Sequence, residues 1–294
     1  MIPKEILKKV RRIHIRTQHK VTDVFAGQYH SIFKGRGMEF QEVREYIPGD
    51  EIRSIDWNVT ARMGHPFVKK FTEERELTVM LLVDISASHT FGSTPQLKKD
   101  LAAEIAAVLA FAAIQNNDRV GLILFTDRIE QYVPPRKGVG HVLRVIREVL
   151  YFKPRHRGTA FAPALDFLNH VAPRKTVSFV ISDFASSEEL ARPLTITGKR
   201  HDLIAVVIRD RREQAWTPAG IIDWQDAESG RRCLVDTSDA RTRRAFGALQ
   251  AMRHERLLGV LRGAGVDAIP VGAGEAYERE FIRFFRLRER RLRL

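Results

Sequence analysis

The run TVMLLVD, from Thr78 to Asp84, most constrains what this chain can fold into, because it is apolar without polar alternation and ends in a carboxylate. A short unbroken run of β-branched and long aliphatic side chains is typical of a strand buried on both faces. Two hydroxyl side chains follow at alternate positions, Ser86 and Ser88. The sequence therefore predicts a central strand with Asp84, Ser86 and Ser88 at its carboxyl end, where open α/β sheets bind their ligands.

Strand and helix patterns alternate from residue 76 to the end of the chain. Predicted strands cover 119–125, 129–133, 176–182, 203–208 and 266–271, and predicted helices cover 96–115, 139–150, 161–171, 188–199 and 240–263. The segment at 129–133 is placed to pair with the strand before it as a hairpin. This alternation implies an α/β domain at 76–294 with a mostly parallel sheet covered by helices on both faces. An insertion near 212–237 interrupts the pattern, and we expect short strands in it.

The first 75 residues form a separate region in this interpretation. Apolar residues at helical spacing among basic ones predict an amphipathic, cationic helix at 3–20. Turn signals around Gly35, Gly49 and Gly64 then divide a stretch rich in aromatic and charged residues into short segments. We therefore expect a small β-containing cap before the α/β domain.

Charge and cysteine content bear on partners and compartment. The 294 residues include 49 Lys and Arg against 36 Asp and Glu, a net charge of +13, which favours acidic partners. An Arg-rich segment at 279–294 suits a nucleic-acid or membrane-surface contact, although its interleaved Phe residues favour docking on the chain's own domain. Because Cys233 is the sole cysteine and no apolar run approaches the length of a membrane span, we expect a cytoplasmic protein.

Two more oxygen-bearing side chains lie at the ends of predicted strands and helices. Thr159 precedes a predicted helix, and Asp183 ends a predicted strand. Each alone also fits a helix cap or a turn, as Ser and Asp are favoured caps. As a set with Asp84, Ser86 and Ser88, they predict a group of hard oxygen ligands suited to Mg²⁺, with no Cys or His at zinc spacing. His30, His89 and His156 are scattered along the chain, so we do not expect a transition-metal site.

These five residues resemble the metal-ion-dependent adhesion site of von Willebrand factor A domains. The resemblance implies a Rossmann-like sheet of von Willebrand A type with one antiparallel edge strand and a cation at its top. Mg²⁺ is the expected cofactor, with Mn²⁺ and Ca²⁺ as alternatives. The implied ligands are the hydroxyls of Ser86, Ser88 and Thr159, with Asp84 and Asp183 binding directly or through water. A metal held largely by neutral hydroxyls keeps positive charge, and can accept an Asp or Glu side chain from a partner protein.

The N-terminal region carries a second resemblance, to the bacterial domain-of-unknown-function 58 family. The matching strings are Gly35-x-Gly37-x-Glu39-Phe40, Arg44-x-Tyr46, Gly49-Asp50-x-x-Arg53-x-Ile55-Asp56-Trp57 and Thr60-Ala61-Arg62. In that family the stretch leads into a von Willebrand A-like domain. Members are commonly associated with MoxR-type AAA+ ATPases. The resemblance thus implies a Mg²⁺-dependent protein–protein interaction module, an adaptor or co-chaperone in protein maturation or complex assembly.

Two other function classes compete with this interpretation. A Mg²⁺-dependent phosphohydrolase would use Asp84 as nucleophile, but haloacid-dehalogenase enzymes have a second Asp where this chain has Ser86. A basic nucleic-acid or membrane-surface binding protein would use the +13 charge, but no recognised nucleic-acid module is present. No nucleophile elbow, P-loop or dinucleotide motif follows a predicted strand, so we predict no catalytic residue.

Overall fold

The computed structural model describes residues 29, 39–72, 76–94, 96–185 and 189–293. The amphipathic helix predicted at 3–20 lies outside the described residues. The first described elements are β1 (Glu39–Glu45), α1 (Trp57–Met63) and β2 (Phe67–Thr72). β1 and β2 pair antiparallel, and Asp56 caps α1 by accepting from the backbone N–H groups of Asn58 and Val59. This region is small and β-containing, as the turn signals predicted.

A six-stranded mixed sheet forms the centre of the molecule. Its strands are β3 (Thr78–Asp84), β4 (Arg119–Phe125), β5 (Ile129–Arg136), β6 (Val177–Ser182), β7 (Asp202–Arg209) and β10 (Asp267–Gly272). They lie in the order β10-β7-β6-β3-β4-β5, and every pairing is parallel except that of β4 with β5. The α/β fold class predicted from the alternation is confirmed, including the antiparallel edge strand.

Helices cover both faces of this sheet. They are α2 (Lys98–Gln115), α3 (Val139–Tyr151), α4 (Phe161–Val171), α5 (Ala191–Arg200), α6 (Arg211–Gln214), α7 (Ala240–Gly263) and α8 (Tyr277–Arg293). Alternate residues of β3 enter different cores: Val79, Leu81 and Val83 pack with side chains of α2, α3 and α8, whereas Met80 and Leu82 pack with side chains of α4, α5 and α7. This is the burial on both faces that the unbroken apolar run of β3 predicts.

The inserted segment contains a two-stranded antiparallel hairpin, β8 (Ile221–Gln225) and β9 (Arg232–Asp236), which forms a sheet of its own. The Arg-rich C-terminal segment forms α8, which docks on the domain through buried Phe281 and Phe285. Its Arg288 also pairs with Asp202 of β7. None of the helices in the described ranges combines the length and apolar content that crossing a lipid bilayer requires.

Candidate metal centre

Asp84 lies at the carboxyl end of β3 with both carboxylate oxygens engaged. The register pairs Val83 with Ile181 of β6, so Ser182 comes level with Asp84. The Ser182 hydroxyl donates to Asp84 Oδ2 at 2.6 Å, and the backbone N–H of Ser86 donates to Asp84 Oδ1 at 2.9 Å. Asp84, Ser86 and Ser182 are all buried. These contacts fix the orientation of the Asp84 carboxylate where the strands of the sheet have their carboxyl ends.

Asp183 follows β6 and is held by a buried lysine. Lys98, at the start of α2, places Nζ 2.6 Å from Asp183 Oδ2 and 2.6 Å from Glu213 Oε1 of α6. Burial would raise the pKa of Asp183, but the Lys98 ammonium and the His89 ring outweigh it and hold that pKa below its usual value. Burial would likewise lower the pKa of Lys98, and its two carboxylate neighbours raise it instead. Asp183 therefore carries a negative charge beside Asp84.

His89 completes a cluster of three potential ligands. One ligand atom each from Asp84, His89 and Asp183 lies within 4.8 Å of the others. The His89 ring is buried, with Nε2 3.6 Å from Asp84 Oδ2, and neither ring nitrogen has a hydrogen-bond partner among the described residues. Burial would lower the pKa of His89, but the charges of Asp84 and Asp183 raise it instead, so a metal ion at these carboxylates would have to displace the His89 proton.

The hydroxyls predicted as ligands lie around the same end of the sheet. Ser86 Oγ and Ser88 Oγ are 3.2 Å apart. The loop that carries Thr159 is tied to the site by two backbone hydrogen bonds, from Ala87 N to Arg157 O and from Ala160 N to Thr126 O, each 3.0 Å long. Thr159 Oγ1 donates to Glu228 Oε1 at 2.5 Å. The structure therefore brings Asp84 and Asp183 together, and places Thr159 in a loop that adjoins the segment of Ser86 and Ser88.

Glu228 is a further carboxylate of the cluster, contributed by the loop between β8 and β9. Burial raises its pKa, the hydrogen bond from Thr159 opposes that rise, and the negative charges of Asp84 and Asp183 add to it. Mutual repulsion of this kind arises where carboxylates converge without enough positive charge.

The donor set fits a divalent cation. Four carboxylates take part in these contacts: Asp84, Asp183, Glu213 and Glu228. Within the described part of the chain, the ammonium of Lys98 and the ring of His89 are the cationic groups that these contacts include. The excess of negative charge and the adjacent hydroxyls suit Mg²⁺ or Mn²⁺. Lys98 already contacts Asp183 Oδ2. Asp183 would therefore bind a cation more simply through a water molecule than directly.

Sequence reasoning missed four residues that the fold brings to this site: Ser182, His89, Lys98 and Glu228. His89 was set aside because it has no histidine or cysteine neighbour at metal spacing, yet it follows Ser88 directly on the loop of the site. That adjacency is the one local signal that could have identified it. Lys98 and Glu228 had no such signal, since their partners are remote in the chain.

A family model described as "Protein of unknown function DUF58" matches residues 42–256. An uncharacterized protein of Mycobacterium tuberculosis is 30% identical over 285 residues, which cover 96% of this chain and 89% of that protein. The match therefore extends over nearly the whole of both chains.

Solved structures with similar folds have low sequence identity. An aerotolerance-related membrane protein of Bacteroides fragilis is 14% identical with a TM-score of 0.49, over 73% of this chain and 99% of that one. A von Willebrand factor type A protein of Catenulispora acidiphila is 11% identical with a TM-score of 0.40, over 76% of this chain and 43% of that one.

Proposed function

Since the chain belongs to the DUF58 family of proteins of unknown function, we propose that it is a protein-interaction module that binds Mg²⁺ and uses the ion to capture an acidic side chain of a partner protein. Asp84, Ser86, Ser88, Thr159 and Asp183 would hold the ion. The ion supplies a positive charge that accepts an external carboxylate. The chain's own residues orient the ligands: Ser182 aligns Asp84, and Lys98 holds Asp183.

The observation that supports this most is the convergence of the Asp84 and Asp183 carboxylates beside the hydroxyls of Ser86 and Ser88. A divalent cation beside Asp84 and Asp183 would neutralise both carboxylates and take the place of the His89 proton. A phosphohydrolase of the haloacid-dehalogenase type is less well supported, because Ser86 stands where such an enzyme has the Asp that acts as general acid.

The partner proposed is a MoxR-type AAA+ ATPase, or a client protein that it remodels. This partner comes from the family resemblance, and the geometry adds only the requirement for an exposed Asp or Glu on its surface. Mn²⁺ and Ca²⁺ remain alternatives to Mg²⁺ because both accept oxygen ligands.

Calorimetric titration with Mg²⁺ and Mn²⁺ tests the cation site. The wild type should bind one ion, and Asp84→Asn should abolish binding while the circular dichroism spectrum stays unchanged. Asp166→Asn is the matched control, because Asp166 is an exposed carboxylate of α4 outside the cluster. Equal binding by wild type and Asp84→Asn would reject the site.

A pull-down with a purified MoxR-type ATPase from the same genome tests the partner. Binding should require Mg²⁺, disappear with EDTA and disappear in Asp84→Asn. Retention of the ATPase in EDTA would contradict capture through a metal ion.

A further inference from the structure

Glu228 belongs to a hairpin that otherwise stands apart from the main sheet. β8 and β9 pair with each other and not with any strand of the six-stranded sheet. The loop between them, residues 226–231, reaches the carboxyl end of β3 and β6, where Glu228 accepts a hydrogen bond from Thr159. This contact joins residues 69 positions apart in the chain. The insertion therefore delivers a carboxylate to one of the proposed metal ligands.

The turn of the hairpin is preorganised to present Glu228. The Asp226 carboxylate accepts hydrogen bonds from the backbone N–H groups of Glu228 and Ser229, at 3.1 and 2.6 Å, and from the Ser229 hydroxyl at 2.8 Å. Gly230 has a φ of +70°, which closes the turn in a conformation that other residues rarely adopt. These contacts hold the backbone of Glu228 in one conformation.

Aromatic side chains anchor the hairpin close to its turn. Trp224 of β8 contacts Phe246 of α7 and Trp216 edge to face, and Trp216 stacks on Phe246 with ring centroids 3.8 Å apart. The hairpin is thus held against α7 beside its turn, and from the turn Glu228 contacts Thr159.

Exposure along the tip shows which side chain points inward. Glu228 is half-buried, whereas its neighbours Ala227 and Ser229 are exposed. A Glu that had no contact with the site would extend into water at such a position. The tip therefore directs Glu228 specifically at the site.

We infer that Glu228 is an intramolecular ligand of the cation, so that the hairpin covers the metal position and a partner's carboxylate must displace it. This inference rests on the proposed function. Asp84, Asp183 and Glu228 repel one another when no cation is present, and a bound divalent ion reverses the sign of that interaction. The cover is therefore coupled to the metal: the ion that attracts a partner also attracts Glu228.

Water proton relaxation of bound Mn²⁺ tests this inference, because it reports how many water molecules coordinate the ion. In the wild type Glu228 should occupy a position that water fills in Glu228→Gln, so the bound ion in the variant should gain about one water ligand and higher relaxivity. Acetate, as a carboxylate probe, should then lower the relaxivity of Glu228→Gln at a several-fold lower concentration than it does in the wild type. Asp223→Asn is the matched control, since Asp223 is an exposed carboxylate of β8 that pairs with Arg232.

Hydrogen exchange gives a second measurement on the same proteins. Mg²⁺ should slow exchange of the backbone amides at 227–231 in the wild type and in Asp223→Asn, but not in Glu228→Gln.

The outcomes separate the inference from the proposed function. Bound Mn²⁺ with equal relaxivity and equal acetate response in wild type and Glu228→Gln would overturn the role of Glu228 and leave the cation site standing. Absence of Mn²⁺ binding to both the wild type and Glu228→Gln would overturn the cation site and the inference with it.

Discussion

Lys98 Nζ lies 2.6 Å from Asp183 Oδ2, and this ion pair joins the start of α2 to the end of β6 inside the domain. The Lys98 side chain is 0% exposed, and its second partner is Glu213 of α6. A buried ammonium with two carboxylate partners holds α2, the end of β6 and α6 together, near the carboxyl end of β3 where Asp84 lies. The cluster would hold several unneutralised carboxylates without it.

Removing this ammonium should destabilise the fold strongly. Lys98→Met leaves Asp183 buried without its partner, so we expect the free energy of unfolding to fall by about 3–5 kcal/mol. Urea unfolding measures the loss. Lys153→Met is the control, because Lys153 is exposed, and it should change stability by less than about 0.5 kcal/mol. A similar small effect of Lys98→Met would show that the pair contributes little.

The hydroxyl of Ser182 should matter for both stability and cation affinity. It donates to Asp84 and accepts from the backbone N–H of Phe184 at 2.9 Å, so Ser182→Ala should cost about 1–3 kcal/mol of stability. Loss of a residue that orients a metal ligand typically weakens metal affinity about 10–100-fold. Urea unfolding and Mn²⁺ titration measure the two effects.

Ser178→Ala is the matched control for this prediction. Ser178 lies on the same strand, is equally buried, and bonds to Thr176 instead of to the site. It should lose stability but keep cation affinity. Equal cation affinities of Ser182→Ala and the wild type would contradict the orienting role of Ser182.

Docking of α8 should depend on its buried aromatic side chains. Phe285 is fully buried against the sheet, so Phe285→Ala should reduce the free energy of unfolding by about 3–5 kcal/mol. Leu287, two residues later, is 46% exposed, and Leu287→Ala should change the free energy of unfolding by less than about 0.5 kcal/mol. Thermal unfolding of the two variants checks the difference. Equal midpoints would mean that the helix does not contribute to the core.

His201 should make stability depend on pH. Burial and the nearby charges of Arg200 and Lys175 lower the pKa of His201, whose Nδ1 accepts from the backbone N–H of Thr176 at 3.3 Å. The unfolded chain therefore binds a proton more readily than the folded one. The contribution of His201 to stability is complete above the unfolded pKa of about 6.5, and it is lost as the pH falls through that value towards the lower folded pKa.

Unfolding by urea at pH 7.5 and pH 5.0 checks this dependence. The wild type should lose more stability between the two pH values than His201→Gln does. His170→Gln, which changes an exposed histidine of α4, should behave as the wild type. Identical losses in wild type and His201→Gln would contradict the prediction.

Much of the fold could be predicted because its signals are local. The strands at 78–84 and 119–125 and the helices at 161–171 and 240–263 have the bounds that the sequence pattern indicated, and the other predicted elements differ by one to three residues at one or both ends. The order of the strands in the sheet, with β3 between β6 and β4, was not readable from the pattern. Strand order depends on which faces pack best, and this is a property of the whole domain.

The residues of the candidate site likewise include some that local signals could predict and some that they could not. Asp84 and Asp183 could be expected at one edge because each ends a buried strand, and parallel neighbours bring their carboxyl ends together. His89 could not be assigned to that edge, since a histidine on a loop has no periodicity that reveals its direction. Glu228 lies in an insertion whose function the sequence did not reveal.

By itself the sequence determined the alternation of strands and helices, the burial of β3 on both faces, and the carboxylates that end β3 and β6. Tertiary structure alone decided which polar groups meet: Lys98 pairs with Asp183 across 85 positions of the chain, and Thr159 donates a hydrogen bond to Glu228 across 69. The physical reason is the distance along the chain over which each kind of signal acts. Hydrophobic periodicity acts between neighbours in the chain, whereas an ion pair or a shared ligand position depends on a distance in space that only the packed domain sets.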